Sequence, residues 1–403
     1  MGQHGKWEFR SRFRTNAFGW KGSAPAIKRI GEAVKEIRKT KDPILRAEGA
    51  ILLFERLWPT LQRIDSSSGS LGTATNKAVH ELVQFIIDAP CNDQVRAKWL
   101  EKLWQAMEDD GVDYLSEVGE RWGELCVSRT VASRWADELR STLELSWERG
   151  GYFRGGPACL SCMLKAQRYD ELLQLIDQAP YLSWFYRKYG VRALAASGRT
   201  EEAIQYAEAS KGLNDGYSAI ASACETILLD AGQHEEAYRR FALSATVATT
   251  NLARFRALVK KYPQKDSGQI LQDLIASTPG EEGMWFATAK SLAYFELATS
   301  LAYESPVNIE TLNRAARDFI EKNPAFALNV ALASLKWLAA GQYYEITGLD
   351  VYNSVRFALD ASDRVGCREE AIQRIQFLVD TPHADDFVRK QILASLNRLR
   401  ISG

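Results

Sequence analysis

Few residues in this 403-residue chain have the type and spacing to do chemistry. Cys159 and Cys162, in "CLSC", have the separation of a redox dithiol or of half a zinc site. A dithiol of that kind follows a strand, and zinc needs a second ligand pair; neither is evident nearby. On a helix the two thiols lie three apart on one face, as two small core residues would. The histidines His4, His80, His234 and His383 are scattered, which gives metal binding and histidine catalysis little to build on. No serine, cysteine or lysine nucleophile pairs with a base by spacing. Triads assemble in space, so this silence does not exclude catalysis. The expectation is a non-enzymatic chain with no catalytic residue, metal ligand or cofactor.

Charged stretches offer more. In "KWEFRSRFRTNAFGWKG", residues 6–22, Trp7, Phe9 and Phe13 share one side of an extended chain and Arg10, Arg12 and Arg14 the other. Trp20 and Lys21 continue the mixture. One reading is a nucleic-acid arm, with cations on phosphates and rings stacked on bases. The other is a segment that docks its aromatics on the protein and leaves its arginines in water. "MEDDGVDYLSEVGERWGELC", residues 107–126, gathers Glu108, Asp109, Asp110, Asp113, Glu117, Glu120 and Glu124. It reads either as an acidic surface for a basic partner, such as the arm of a second copy, or as a helix end, a turn and a helix capped by Asp113. The spacing does not fit a calcium loop. The glycines of "GGYFRGGP", residues 150–157, have no preceding strand and no following Gly-Lys-Ser/Thr, so a phosphate cradle has little support.

The composition is that of a folded globular chain, 46% hydrophobic and 25% charged, long enough for two or three domains. No apolar run approaches the roughly 18 residues of a membrane span. "MGQHGKWEFR" lacks the apolar centre of a signal peptide, so a cytoplasmic location is expected. Six dispersed cysteines fit reduced, buried thiols. Net charge is zero but unevenly spread: residues 1–41 carry 11 Lys or Arg against 3 Glu, and the rest 40 against 48.

The elements that must position these residues all read as helices. Ile44, Ala47, Ile51, Phe54, Trp58 and Leu61 form one stripe, which Pro59 is expected to kink or split. Asn92 or Asp93 caps a helix carrying Val95, Trp99, Leu103 and Met107, with a stop at Gly111. Residues 64–76 and 148–158 read as loops, the second leading into Pro157 in a first helical turn. The expected organisation is a basic aromatic arm (1–23), an irregular helical bundle (24–149) and a repeat array (150–403).

The array is written in one recurring phrase. "GRTEEAIQYAE" from Gly198 returns as "GQHEEAYRRFA" from Gly232, 34 residues on, and as "GCREEAIQRIQ" from Gly366. Each glycine can close a helix in the left-handed region, and each Glu pair (201–202, 235–236, 369–370) sits in the next helix's first turn. Ala203, Ala237 and Ala371 are small where two helices approach closely, and Phe241 and Ile375 fill the next layer. Weaker copies centre on Leu172 and Ile176, on Leu271 and Ile275, and on Ala298, with room for two more units before Ala371. About seven helix pairs follow.

This pattern resembles the tetratricopeptide-repeat (TPR) superfamily over residues 153–380, best at 184–279. It departs from that family in lacking most of the first-helix tryptophan, glycine and tyrosine. The resemblance implies an all-α fold, a right-handed α-solenoid of TPR-like hairpins, preceded here by the bundle. The N-terminal half resembles only uncharacterised bacterial proteins, which implies no activity. The TPR resemblance further implies an interaction scaffold whose first helices line a concave groove. Carried onto this chain, the groove positions are Phe185, Lys188 and Arg192, then Ser222, Thr226 and Asp230, then Arg256 and Lys260. Four of the eight are basic, which suits an acidic peptide or protein segment. The alternative is a nucleic-acid-binding accessory protein using Arg10, Arg12, Arg14, Trp20 and Lys21. No membrane partner is expected, and self-association stays open.

Overall fold

Helix starts fall where a side chain or a proline supplies what the backbone lacks. The Asn92 carboxamide accepts from the Val95 N–H at 2.9 Å, and the Asp42 carboxylate from Ile44 at 2.9 Å. Pro157 stands in the first turn of the Gly156–Lys165 helix, where its missing N–H costs nothing. A computed structural model describes residues 7–212, 216–381 and 384–401; His4, Lys6 and His383 lie outside them. Every regular element among the described residues is helical. Two compact units are present, Met1–Gly232 and Gln233–Gly403.

In the first unit one hydrophobic core runs from Phe9 to Ala193, across the glycine-rich segment. Trp104, Trp122 and Trp135 meet within it, with ring centroids 5.1–5.4 Å apart. Three local expectations change. The Pro43–Leu61 helix is not split by Pro59, because the proline falls in its last turn, next to where the helix ends anyway. The loop expected over 64–76 ends at Gly69, whose φ of 70° starts the Ser70–Ile87 helix. Thr73 and Thr75 hydroxyls donate to the carbonyls of Gly69 and Leu71, so these polar residues sit in helix with their hydroxyls satisfied. Asp113 caps nothing; buried Asp110 accepts from Val112 and Leu115 instead, and burial raises its carboxyl pKa.

From Gly156 onward the helices alternate in pairs. They run Gly156–Lys165 with Tyr169–Ile176 and Trp184–Ala196 with Thr200–Glu208 in the first unit, which ends with Tyr217–Asp230; the second opens with the run from His234 to Ala245, whose middle is a π-helical turn, Tyr238–Ala242. Then follow Asn251–Lys261 with Ser267–Ala276, Glu282–Ser291 with Phe295–Glu304, Ile309–Phe319 with Pro324–Ala339, and Gly348–Val365 with Arg368–Val379. The helix Asp386–Ile401 closes the series. In the first unit, Gly156–Lys165 packs on its partner and on Trp184–Ala196, which in turn packs on Tyr217–Asp230. In the second, Ile309–Phe319, Gly348–Val365 and Asp386–Ile401 neighbour one another in order, as do Phe295–Glu304, Pro324–Ala339 and Arg368–Val379. Each unit is all-α and solenoid-like, built of successive helical hairpins.

The turn inside these hairpins is one device used repeatedly. Gly198, Gly232 and Gly366 take φ of 79°, 74° and 80°. Behind Gly198 the Arg199 N–H returns to the Leu194 carbonyl at 3.0 Å, and behind Gly366 that of Cys367 to Ser362 at 3.0 Å, satisfying carbonyls at the helix end. Gln167 and Ala293 adopt φ of 62° without being glycine and close the same bonds, Arg168 to Met163 and Tyr294 to Ala289. In all five, the residue five positions later is buried: Leu172, Ala203, Ala237, Ala298 and Ala371. Gly190 provides the close approach between helices, since a Cβ there would meet the Tyr206 ring at 2.9 Å.

In the second unit Asn313, Ser334 and Ser354 form a buried polar node across three helices. The Asn313 carboxamide oxygen accepts from the Ser354 hydroxyl at 2.7 Å, and its NH2 donates to the Asp350 carbonyl at 3.1 Å. The Trp337 indole N–H and the Lys336 ammonium donate to the Ala302 and Tyr303 carbonyls at 2.7 and 2.6 Å, tying two successive hairpins together at a helix end.

A Cβ at Gly198 or Gly366 would meet no atom within 4 Å, so substitution there tests backbone conformation alone. Gly198→Ala and Gly366→Ala are each expected to cost about 1 kcal/mol, and Ala293→Gly to move stability the opposite way, in urea titrations followed by circular dichroism.

Candidate functional site

Five of the six groove positions on the first unit line one groove, Phe185 being the exception. A groove of about 790 Å³ runs between the Trp184–Ala196 and Tyr217–Asp230 helices, lined by Lys188, Arg192, Ser222, Thr226 and Asp230. Its floor is apolar and was not foreseen: Trp184, Val191, Ala195, Ala219, Ala223 and Ile227. The signal was present in the spacing, since Val191 and Ala195, and Ala219, Ala223 and Ile227, recur by fours on one helical face. Alanine there reads as filler unless the facing helix is known.

The charged residues of the groove differ in what they have left to offer. Arg192 is exposed, with no carboxylate in ion-pair range among the described residues. The Lys188 ammonium is half-buried and bonded to Glu120 at 2.8 Å, a partner supplied by the Ser116–Glu120 helix. Beneath them lies Tyr189, fully buried, whose phenol pKa is pushed well up by burial and then by Glu120. Thr226 donates its hydroxyl to the Ser222 carbonyl at 2.8 Å and keeps its acceptor capacity.

Phe185 sits outside this groove. It lies one turn earlier, in the first turn of its helix, stacks edge-on against Tyr186 at 5.1 Å, and supports Lys188. The recess it lines, with Tyr152, Arg154 and Asp113, holds only about 20 Å³. Arg256 and Lys260 stand exposed one turn apart on the Asn251–Lys261 helix of the second unit.

The N-terminal segment is folded onto the helices. Glu8–Ser11 is a 3-10 turn rather than extended chain, and Phe9, Phe13 and Phe18 are buried. Glu36 accepts the Glu8 and Phe9 N–H groups at 2.7 and 3.1 Å, and Arg56 donates to the Phe13 carbonyl at 3.0 Å. Trp7 packs over Gly49 so closely that a Cβ there would meet its ring at 2.4 Å. Arg12 pairs with Glu32 at 2.9 Å. Only Trp20, 67% exposed, remains available for stacking, beside exposed Arg10, Arg14 and Lys21.

The other stretches resolve into structure. All seven acids of 107–126 have partners within the first unit: Glu108 with Trp104, Asp109 with Gln105, Asp110 as above, Asp113 with Arg154, Glu117 with His80, Glu120 with Lys188, Glu124 with Arg121. In "GGYFRGGP", Arg154 donates to the carbonyls of Met107 and Asp110 at 2.9 and 2.6 Å, closing the Asp93–Asp109 helix. Cys159 and Cys162 are buried, and the Cys162 sulfur lies 3.9 Å from that of Cys126. Burial pushes the Cys159 thiol up to about 12, and Cys162 in the same direction. Among the described residues, no helix is long and apolar enough to cross a membrane.

No family model matches the chain, and no curated protein does. Among solved structures, the crystal structure of the P58(IPK) TPR domain is similar over 93% of this chain and 99% of that one, at 12% identity and a TM-score of 0.17. A circular tandem repeat protein with a novel repeat topology is similar over 94% and 91%, at 14% identity and a TM-score of 0.16.

Two predictions follow from these placements. Phe13→Ala should cost about 3–5 kcal/mol in thermal unfolding, whereas Arg14→Ala should stay within about 0.5 kcal/mol. A thiol titration of the native protein at pH 8 should detect at most Cys91 and Cys367, the two that are not fully buried. All six should react in guanidinium chloride.

Proposed function

We propose that this chain is a non-catalytic protein-interaction scaffold, and that the groove between the Trp184–Ala196 and Tyr217–Asp230 helices takes an acidic peptide or protein segment. The observation that carries this reading is Arg192: an exposed guanidinium on the edge of an apolar floor, with no carboxylate in ion-pair range among the described residues. A ligand carboxylate placed there gains a charge-assisted hydrogen bond while its neighbouring side chains cover Ala195, Ala223 and Ile227. Arg256 and Lys260 offer a second cationic face on the other unit. Lys188 joins in once a ligand carboxylate replaces Glu120, so Glu120 acts as an internal competitor.

Twelve-residue peptides selected by phage display on the full chain, labelled with fluorescein, provide the probe. Arg192→Glu is expected to weaken their binding at least tenfold with an unchanged circular dichroism spectrum. Glu120→Gln should tighten it about two- to fivefold, the scale of one partly exposed ion pair. Equal affinity in wild type and Arg192→Glu would overturn the assignment.

A further inference from the structure

Elsewhere in the first unit many arginines are committed, though Arg63, Arg129, Arg134, Arg149 and Arg192 have no carboxylate in ion-pair range among the described residues. Arg96 donates to the Ile86 and Ala89 carbonyls, Arg121 to Glu124, Arg140 to Glu144, and Arg168 to Asp137 and Glu171. The N-terminal segment from Trp7 to Gly22, a strap across the helix Ser23–Lys39, and that helix itself are rich in unanswered cations. Their few acids are used up: Glu32 on Arg12, Glu36 on the backbone of Glu8 and Phe9. Arg38 in turn goes to Glu81. Arg10, Arg14, Lys21, Lys28, Lys35, Lys39 and Lys41 are left exposed, with no carboxylate in ion-pair range among the described residues.

Three of these cations share one helix face, and the strap runs along it. Lys28, Glu32, Lys35, Glu36 and Lys39 recur by threes and fours, so they share a face of the helix. The strap lies along that face in the opposite direction, with Glu8 and Phe9 at Glu36 and Arg12 at Glu32. Its own cations therefore flank those of the helix. Lys28 to Lys39 covers about 16 Å, the length of roughly five base pairs of duplex.

We propose that this strap-and-helix face binds the phosphate backbone of a nucleic acid, through residues none of which line the peptide groove. The buried rings of Phe9, Phe13 and Phe18 take no part, so recognition is of phosphate and independent of sequence. An anionic membrane fits less well. Surface helices of that kind insert an apolar face, and here that face, Ala26, Ile30, Ala33, Val34 and Ile37, is already buried in the core.

The test uses the full chain and a fluorescein-labelled 25-base-pair DNA duplex of arbitrary sequence, followed by anisotropy from 25 to 200 mM NaCl. Wild type should bind at low salt with a steep dependence, log Kd changing by about four to six per decade of salt if most of the seven cations meet phosphates. Lys28→Glu/Lys35→Glu/Lys39→Glu alters only exposed side chains. It should weaken binding at 50 mM salt at least tenfold and flatten the slope by about three. Arg192→Glu should leave this binding unchanged, which separates its outcome from that of the peptide groove. The inference fails if wild type does not bind at 25 mM, if the triple variant binds as wild type does, or if Arg192→Glu weakens binding as much as the triple variant. Binding to phosphatidylserine vesicles without binding to the duplex also overturns it.

Discussion

A lone pair of short helices leaves one greasy flank uncovered, and the left-handed residue between the two helices decides which flank that is. Gln167, Gly198, Gly232, Ala293 and Gly366 all hold φ near 60–80°. The same buried position then arrives five residues later each time. Because neighbours cover each other's flanks, the array is stable as a series and no hairpin in it is independent. The groove follows from the same constraint, since aligned first helices leave a trough whose floor is whatever small residues allowed them to approach.

The repeat was legible wherever the turn residue was glycine, because glycine and the following Glu-Glu-Ala carry the geometry in their chemistry. It was faint at Gln167 and Ala293, where the same backbone conformation is held by residues that do not advertise it. Asn92 and Pro157 spoke for helix starts directly. Asp113 misled because a carboxylate near a helix start usually caps it, yet the chain turned so that Asp110 faced the free N–H groups. The polar run 64–76 misled for a related reason: threonines that bond back to carbonyls sit comfortably in helix.

The candidate groove was half legible. Family spacing placed Lys188, Arg192 and Thr226 on its walls, because helical periodicity fixes which residues share a face. It could not show that Lys188 is held by Glu120, 68 positions earlier in the chain, since pairings of that range depend on how the bundle packs. Nor could it tell Phe185, a prop for Lys188, from an anchor for a ligand. The N-terminal aromatics show the same limit: their alternation with arginine suits a stacking arm and a docked strap equally, and only the presence of Gly49, Glu36 and Arg56 beside them decides for the strap.

The strap also bears on how the molecule is made. Phe13 is seated by Arg56, 43 residues downstream, and Ser23 reaches the Asp65 carbonyl across 42. During synthesis those aromatic rings emerge well before the residues that shelter them, and stay in water until the Pro43–Leu61 helix has left the ribosome. The cations interleaved with them then act as a solubilising sheath for a nascent segment that would otherwise be among the stickiest in the chain.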